Sequence, residues 1–256
     1  MLTSNLQTKS RRRVTDHGEV FTNPREVNAM LDLVKAETER IDSRFLEPAC
    51  GTGNFLIEIL RRKLAVVGGK YSQSQPEYER YAILAVSSIY GIDLLADNVA
   101  ECRERLYLFF DETYSAQYGA LCNEACRDAV WCILEKNIVC GNTLTAFNGT
   151  DPIVFSEWAL VGGDKFNRRD FTFDSLLKAN SATATGENAI PTPIREYPPT
   201  NYWELQNHEW DCDRPRDQEL QSRRHLLLGQ PFQRRSFHPA AACQRNTELA
   251  SERNLA

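Results

Sequence analysis

A turn that contains two glycines is the part of this sequence whose residue types and spacing point most directly to chemistry. Residues 45–55 read Phe-Leu-Glu-Pro-Ala-Cys-Gly-Thr-Gly-Asn-Phe, which predicts a short strand, a tight turn and the start of a helix. Glycine is needed where a backbone approaches a ligand closely or adopts a positive φ. In an open parallel sheet such turns lie at the carboxyl ends of strands, where ligands bind. We therefore expect Gly51 and Gly53 to line a binding site rather than an ordinary connecting turn.

The class of ligand is narrowed by what the turn lacks. A dinucleotide fingerprint requires Gly or Ala at the position of Leu56 and an acid about 20 residues later, whereas the next acid that closes an apolar strand is Asp93. The G-x-x-x-x-G-K-[ST] motif of a P-loop is also absent from the sequence. Glu47, before the turn, suits a cation, and Asp93 suits the hydroxyls of a ribose. A ligand with a cationic group, a ribose and no phosphates fits S-adenosylmethionine.

Segments of the chain, in order, resemble the cofactor motifs of the adenine-N6 DNA methyltransferases of restriction–modification systems. Residues 47–55 resemble motif I of that family, and residues 18–24 (Gly-Glu-Val-Phe-Thr-Asn-Pro) resemble the segment that closes over the methionine end of the cofactor. Residues 89–93 (Ile-Tyr-Gly-Ile-Asp) resemble the ribose-binding strand, and residues 137–144 (Asn-Ile-Val-Cys-Gly-Asn-Thr-Leu) resemble the strand and turn that hold the adenine. The resemblance covers about residues 17–145 and implies S-adenosylmethionine as the cofactor.

The resemblance also implies roles for individual residues. Phe21 and Thr22 would contact the methionine moiety, and Asp93 would hold the ribose. The residues that would line the cofactor are Glu47, Ala49, Gly51 and Gly53. Asn142 stands where the family commonly has an Asp that accepts from the adenine amine. An Asn carbonyl accepts the same bond, but without the assistance of a charge.

The catalytic tetrapeptide of that family is missing from the chain. In the family, Asn, Asp or Ser is followed by Pro-Pro and an aromatic residue, whose ring stacks on a flipped-out adenine while oxygen atoms accept the hydrogens of its amine. Around the expected position stands Pro-Ile-Val-Phe-Ser-Glu-Trp (152–158), and Tyr-Pro-Pro-Thr-Asn-Tyr (197–202) has similar residues in another order. The sequence therefore leaves the catalytic residues unknown.

More than one function remains open. The first is transfer of a methyl group from S-adenosylmethionine to the N6 amine of adenine in DNA, as part of a restriction–modification system, with DNA and a specificity or restriction subunit as partners. The alternative is a catalytically impaired or partial subunit that binds cofactor and DNA and acts with a partner chain. A Rossmann oxidoreductase is a weaker third reading, because its fingerprint is incomplete.

The order of apolar runs predicts the fold class. Short strands at residues 44–47, 89–93, 137–140 and 152–155 alternate with helices, which begin at Pro24 and recur at 54–67, 76–88, 95–110 and 120–135. This alternation predicts an α/β fold with a doubly wound, mostly parallel sheet, and the resemblance implies the core of a class I methyltransferase. Thr22 or Asn23 should cap the first helix, and the glycines at 68 and 69 should end the second.

Composition bounds the remaining possibilities. With 42% apolar and 25% charged residues and a net charge of −5, the chain is unlike a protein that grips nucleic acid mainly by positive charge. We expect a polar arm (1–17), a cofactor domain (18–178), and a linker with a poorly ordered, irregular tail (179–256).

Residues 165–171 mix basic and aromatic side chains, which is typical of a contact with a nucleic-acid base or of a solvated turn. Neither a leader, a spanning segment nor a CxxC pair occurs, so we expect a cytoplasmic protein without metal or membrane contact.

Overall fold

The computed structural model describes residues 9–17, 19–184 and 190–207, together with positions 214, 215, 219, 220 and 227. The helices are α1 (Arg11–His17), α2 (Pro24–Asp32), α3 (Lys35–Thr38), α4 (Asn54–Tyr71), α5 (Gln75–Ser87), α6 (Ala96–Tyr118), α7 (Glu124–Asn137) and α8 (Phe173–Ala184), with 3-10 turns at Gly119–Leu121 and Tyr202–Asn207. The strands are β1 (Phe45–Glu47), β2 (Ile89–Asp93), β3 (Ile138–Cys140), β4 (Phe147–Asn148), β5 (Asp151–Pro152), β6 (Val154–Gly162), β7 (Lys165–Thr172), β8 (Arg195–Glu196) and β9 (Thr200–Asn201).

The first three strands form a parallel sheet in the order β1-β2-β3. Phe45 pairs with Ile89, and Gly91 pairs with Ile138 on the other side of β2. Helices α4 and α5 connect β1 to β2, while α6 and α7 connect β2 to β3. Parallel pairing needs long crossovers of this kind, and it brings the carboxyl ends of the three strands to one edge of the sheet.

One face of this sheet is covered by α4, α5, α6 and α7. Their apolar sides form a core that includes Ile89 and Ile138. Gly91 points to the same face as Ile89 because side chains alternate along a strand. A Cβ on Gly91 would lie 3.0 Å from both Sγ of Cys50 and Cδ1 of Leu56. A side chain at residue 91 would therefore push the glycine turn and α4 away from β2.

The opposite face is covered by the antiparallel pair β6–β7 and by α8. Tyr90 and Ile92 belong to a second apolar cluster that includes Phe155 of β6 and Phe173 of α8. The rings of Tyr90 and Phe155 meet edge to face with centroids 5.5 Å apart, and the Tyr90 hydroxyl donates to the carbonyl of Ser156 at 3.1 Å. The central strand β2 is thus buried on both faces, and the predicted mixed α/β class is confirmed.

The strand expected at 152–155 is not a further strand of the parallel sheet. Residues 151–152 pair with β4, and the chain then enters β6, which pairs antiparallel with β7. The expectation of a mostly parallel sheet therefore applies only to β1, β2 and β3, because the longest paired strands in the described residues are antiparallel.

The segment 165–171, which reads as a solvated turn or a base contact, forms most of β7. Its central charged side chains have partners within the sheet: the Arg168 guanidinium donates to Oδ1 of Asp170 at 2.8 Å and to the Ser156 hydroxyl at 2.9 Å. These three side chains are buried. The solvated-turn prediction was wrong because a run of charged residues resembles a turn when the partner strand is not known, and the base contact stays a prediction.

Glycine does not end α4, which continues through residues 68 and 69 to Tyr71. A Cβ at either glycine would meet nothing within 4 Å, and Leu64 and Val67 anchor this stretch in the core. Burial of that apolar stripe offsets the cost of about 1 kcal/mol that a glycine carries inside a helix. The predicted end of α6 at residue 110 was also too early, since the buried Tyr114 belongs to the same helix.

Part of the region predicted as linker and tail packs on the helices. Residues 181–184 complete α8 instead of beginning an irregular segment. Tyr202 and Leu205 are buried in the helical core, and the Tyr202 hydroxyl donates to Oε2 of Glu79 at 2.5 Å. The tail predicted to be poorly ordered lies almost entirely outside the described residues after 207, and the boundaries at 18 and 179 stay predictions. Within the described part, no helix is both long and apolar enough to cross a bilayer.

Candidate functional site at the carboxyl edge of the parallel sheet

The glycine turn lies where β1 ends and is tied to the end of β2. The amide of Cys50 donates to the carbonyl of Ile92 at 2.8 Å, and the amide of Gly51 donates to Oδ2 of Asp93 at 2.9 Å. Gly51 has a φ of 52° and Gly53 a φ of 86°, which residues with a Cβ adopt only with strain. The backbone here follows a path that requires both glycines.

Neighbouring side chains constrain the same two glycines. A Cβ on Gly51 would lie 3.1 Å from Cε1 of Phe21, and a Cβ on Gly53 would lie 2.6 Å from Sγ of Cys102. Phe21 is half-buried, whereas Cys102 of α6 is fully buried. The turn is therefore held between an aromatic ring from the segment before α2 and a thiol from α6.

Asp93 joins three parts of the site through its carboxylate. While Oδ2 accepts from Gly51, Oδ1 accepts from the amide of Leu95 at 2.9 Å and from Nδ2 of Asn98 at 3.2 Å. The carbonyl of Asp93 also accepts from the amide of Gly141, after β3, at 2.9 Å. Asp93 thus fixes the glycine turn, the start of α6 and the loop after β3 relative to one another.

The loop after β3 brings Asn142 to this edge, but its side chain bonds to its own loop. Oδ1 of Asn142 accepts from the amide of Leu144 at 2.9 Å, which forms a local Asx turn. The neighbouring Thr143 hydroxyl donates to the carbonyl of Pro48 at 2.5 Å, so this loop also contacts the residues between β1 and the glycine turn. The role implied for Asn142, accepting from an adenine amine, stays a prediction.

Glu47 and Ala49 flank Pro48 at the end of β1. Glu47 is half-buried and Ala49 is exposed. Burial raises the pKa of the Glu47 carboxyl above its ordinary value, and a hydrogen bond from the backbone of Ala49 opposes that rise. A carboxylate that is costly to ionise in a partly buried place is stabilised by a nearby cation, which is the property that the sequence suggested for this residue.

The segment before α2 lies beside the glycine turn. Asn23 caps α2 by accepting from the amide of Arg25 at 2.9 Å, with Pro24 in the first turn, as expected. The carbonyl of Thr22 accepts from Nδ2 of Asn54, the first residue of α4, at 3.0 Å. Phe21 and Thr22 therefore contact the glycine turn and the helix that follows it.

Two basic residues of the polar arm, within its described part (9–17), contact α6. Arg13 donates to Glu19 and to Asp97, each at 2.6 Å, and Lys9 pairs with Glu101 at 2.6 Å. The hydrogen bond from Arg13 holds the pKa of Asp97 below its ordinary value. Because Asp97 and Glu101 lie in the first turns of α6, the arm is held close to Asp93.

The structure adds residues that the sequence did not single out. Asn98 supports Asp93, Cys102 supports Gly53, and Arg105 donates to Thr52 and Asn54. Asn54 could have been noticed because it directly follows the turn. Cys102 and Arg105 gave no signal, since the contacts of Arg105 with Thr52 and Asn54 span 53 and 51 positions of sequence and depend on how α6 packs.

Side chains near the expected catalytic position have structural partners. The Ser156 hydroxyl donates to Asp170 at 2.7 Å, and Nε1 of Trp158 donates to Asn137 at 3.1 Å. Glu157 pairs with Arg44 at 2.6 Å and also with Arg169. None of these contacts lies at the carboxyl edge of the described sheet, so the catalytic residues stay unassigned.

Comparison with known proteins gives no further assignment. No family model, no curated protein and no solved structure matches the chain.

Proposed function

We propose that the chain binds S-adenosylmethionine at the glycine turn and takes part in methyl transfer to the N6 amine of adenine in DNA, as a component of a restriction–modification system. The observation that carries the proposal is the hydrogen bond between the Gly51 amide and the Asp93 carboxylate. It brings a bare backbone turn and an acid together at the ends of adjacent parallel strands, where ligands of open α/β sheets bind.

The acceptor capacity of Asp93 fits a ribose. An ionised carboxylate has about four lone-pair positions, and Asp93 uses them for Gly51, Leu95 and Asn98. One position, on Oδ2, is left for a ligand hydroxyl. Phe21 lies against the unsubstituted side of Gly51, so an aromatic ring and a bare backbone border the same place.

The charge of Glu47 fits the other end of this cofactor. Its carboxylate, whose pKa burial raises, would be stabilised by a sulfonium cation. When bound, S-adenosylmethionine supplies an electrophilic methyl group, and the chain's own residues orient it. The parallel order β1-β2-β3, with helical crossovers that pack on one face, supports a cofactor-binding core of the class I methyltransferase type.

The proposal is tested by methyl transfer to DNA. Purified chain is incubated with duplex DNA and S-adenosylmethionine that carries a tritiated methyl group, and digested nucleosides are separated to identify the labelled base. Label in N6-methyladenine supports the proposal. Label in another base, or tight binding of reduced nicotinamide dinucleotide at the same site, would contradict it.

A second candidate, a partial subunit that acts with a partner chain, is favoured by the open edge of β1. Within the described residues β1 pairs with β2 alone, and Leu46, at the centre of β1, is 44% exposed. Unpaired strand edges accept further strands. Under this candidate the chain binds S-adenosylmethionine but labels DNA only after a partner chain is added. Methylation of DNA by the chain alone would contradict this candidate.

A further inference from the structure

Arg105 of α6 reaches the inner side of the glycine turn. Its Nη1 donates to the carbonyl of Thr52, to the Thr52 hydroxyl at 2.8 Å and to Oδ1 of Asn54 at 3.0 Å. One guanidinium nitrogen therefore contacts both the middle of the turn and the first residue of α4.

Asn54 extends this contact to the segment before α2. Since its Oδ1 faces the guanidinium, its Nδ2 faces the other way and donates to the carbonyl of Thr22 at 3.0 Å. The side-chain amide of Asn54 is thus oriented by Arg105 and holds Thr22, which is next to Phe21. The contacts link three segments that are remote in sequence.

The electrostatics of Arg105 are unlike those of a stabilising ion pair. Burial lowers the pKa of Arg105, yet among the described residues no carboxylate forms a salt bridge with it, and its Nε is buried without a hydrogen-bond partner. Burying a cation in this way costs free energy that an apolar side chain would not cost. The arginine is therefore best explained by the hydrogen bonds that its Nη1 makes to Thr52 and Asn54.

We propose that Arg105 is a positioning residue that, through Asn54, couples the glycine turn to the segment of Phe21 and Thr22, so that both sides of the ligand site are held in one arrangement. The coupling itself is a property of the ligand-free chain. Its effect on S-adenosylmethionine rests on the proposed function.

Asn54→Asp separates the two halves of this coupling. A carboxylate at residue 54 keeps the bond from Arg105 and suits the N-terminus of a helix, but it has no N–H to donate to Thr22. We expect an unchanged or higher melting temperature, faster chymotryptic cleavage after Phe21, and affinity for S-adenosylmethionine that is about tenfold weaker. Gln73→Glu, which adds the same charge at an exposed position in the turn between α4 and α5, should change neither cleavage nor affinity.

Arg105→Lys tests the guanidinium itself. A lysine keeps the charge but cannot reproduce the planar donor geometry, so we expect the same faster cleavage and weaker binding. Arg127→Gln removes a partly buried arginine of α7 that pairs with Asp111, and it should lower the melting temperature without affecting cleavage after Phe21.

The outcomes distinguish the coupling from the function. If Asn54→Asp and Arg105→Lys cleave after Phe21 at the wild-type rate, the coupling is wrong. If they cleave faster but the folded wild-type chain binds no S-adenosylmethionine, the coupling stands and the proposed function fails. If cleavage is faster while S-adenosylmethionine binds with wild-type affinity, the coupling does not position the ligand site and the proposal is overturned.

Discussion

The amide of Gly51 donates a hydrogen bond of 2.9 Å to Oδ2 of Asp93, across 42 positions of sequence. The bond joins the turn after β1 to the last residue of β2. Because Asp93 also accepts from the amide of Leu95, the same carboxylate fixes the start of α6. A change at either end of this bond should therefore alter the ligand site as well as stability.

Gly53→Ala should destabilise the fold more than a usual surface substitution. A Cβ there would lie 2.6 Å from Sγ of Cys102, at a φ of 86°. A left-handed backbone costs roughly 1–2 kcal/mol and overpacking roughly 1–3 kcal/mol, so we expect a loss of about 2–5 kcal/mol in the free energy of unfolding, measured by urea denaturation.

Cys102→Ala supplies the matched control for Gly53→Ala. It removes the sulfur that the new Cβ would meet. The double variant should therefore lose about 1 kcal/mol less free energy of unfolding than the two single variants lose together. Strictly additive losses would show that the close contact between residues 53 and 102 is not the cause.

Gly68→Ala should stabilise the chain. Residue 68 lies inside α4, and a Cβ there meets nothing within 4 Å, so alanine should add about 1 kcal/mol to the free energy of unfolding. Gly119→Ala is the contrasting variant: its surroundings are also open, but its φ is 56°, and it should lose about 1 kcal/mol. Equal effects of the two changes in thermal or urea denaturation would contradict the claim that Gly68 has a helical backbone with room for a Cβ.

Glu47 should make stability depend on pH. Its pKa is raised by burial, so the folded chain keeps the proton to a higher pH than the unfolded chain does. The contribution of Glu47 to stability therefore falls as pH rises from about 4.5 through the raised pKa. Glu47→Gln should remove that fall in urea denaturation between pH 4 and pH 7, and Glu77→Gln, at an exposed position of α5, should leave it intact.

Binding of a cation should offset the cost of ionising the partly buried Glu47 carboxyl. A sulfonium stabilises the ionised carboxylate, so affinity for S-adenosylmethionine should increase with pH through the same range, with release of a proton on binding. Calorimetry in buffers of different ionisation enthalpy measures that proton. Binding of Glu47→Gln with an unchanged pH dependence would exclude contact between Glu47 and the cation.

Local patterns were sufficient to predict β1, β2, β3 and the mixed α/β class, because each short apolar run is bounded by turn residues. They failed for β7, whose charges are satisfied by a partner strand, and at Gly68, where packing outweighs helix propensity. At the site, the pattern of Gly51 and Asp93 was visible in the sequence. Arg105 was not, because its contact with Thr52 exists only once α6 has packed beside the turn.

Isothermal titration of the folded chain with S-adenosylmethionine tests the central claim most directly. The wild-type chain and Glu77→Ala, which removes an exposed carboxylate of α5, should bind alike. Asp93→Ala and Asp93→Asn should bind at least about tenfold more weakly, since hydrogen bonds to a charged group are lost. No heat of binding from the folded wild-type chain, or equal affinity of the Asp93 variants, would contradict a cofactor site at the ends of β1 and β2.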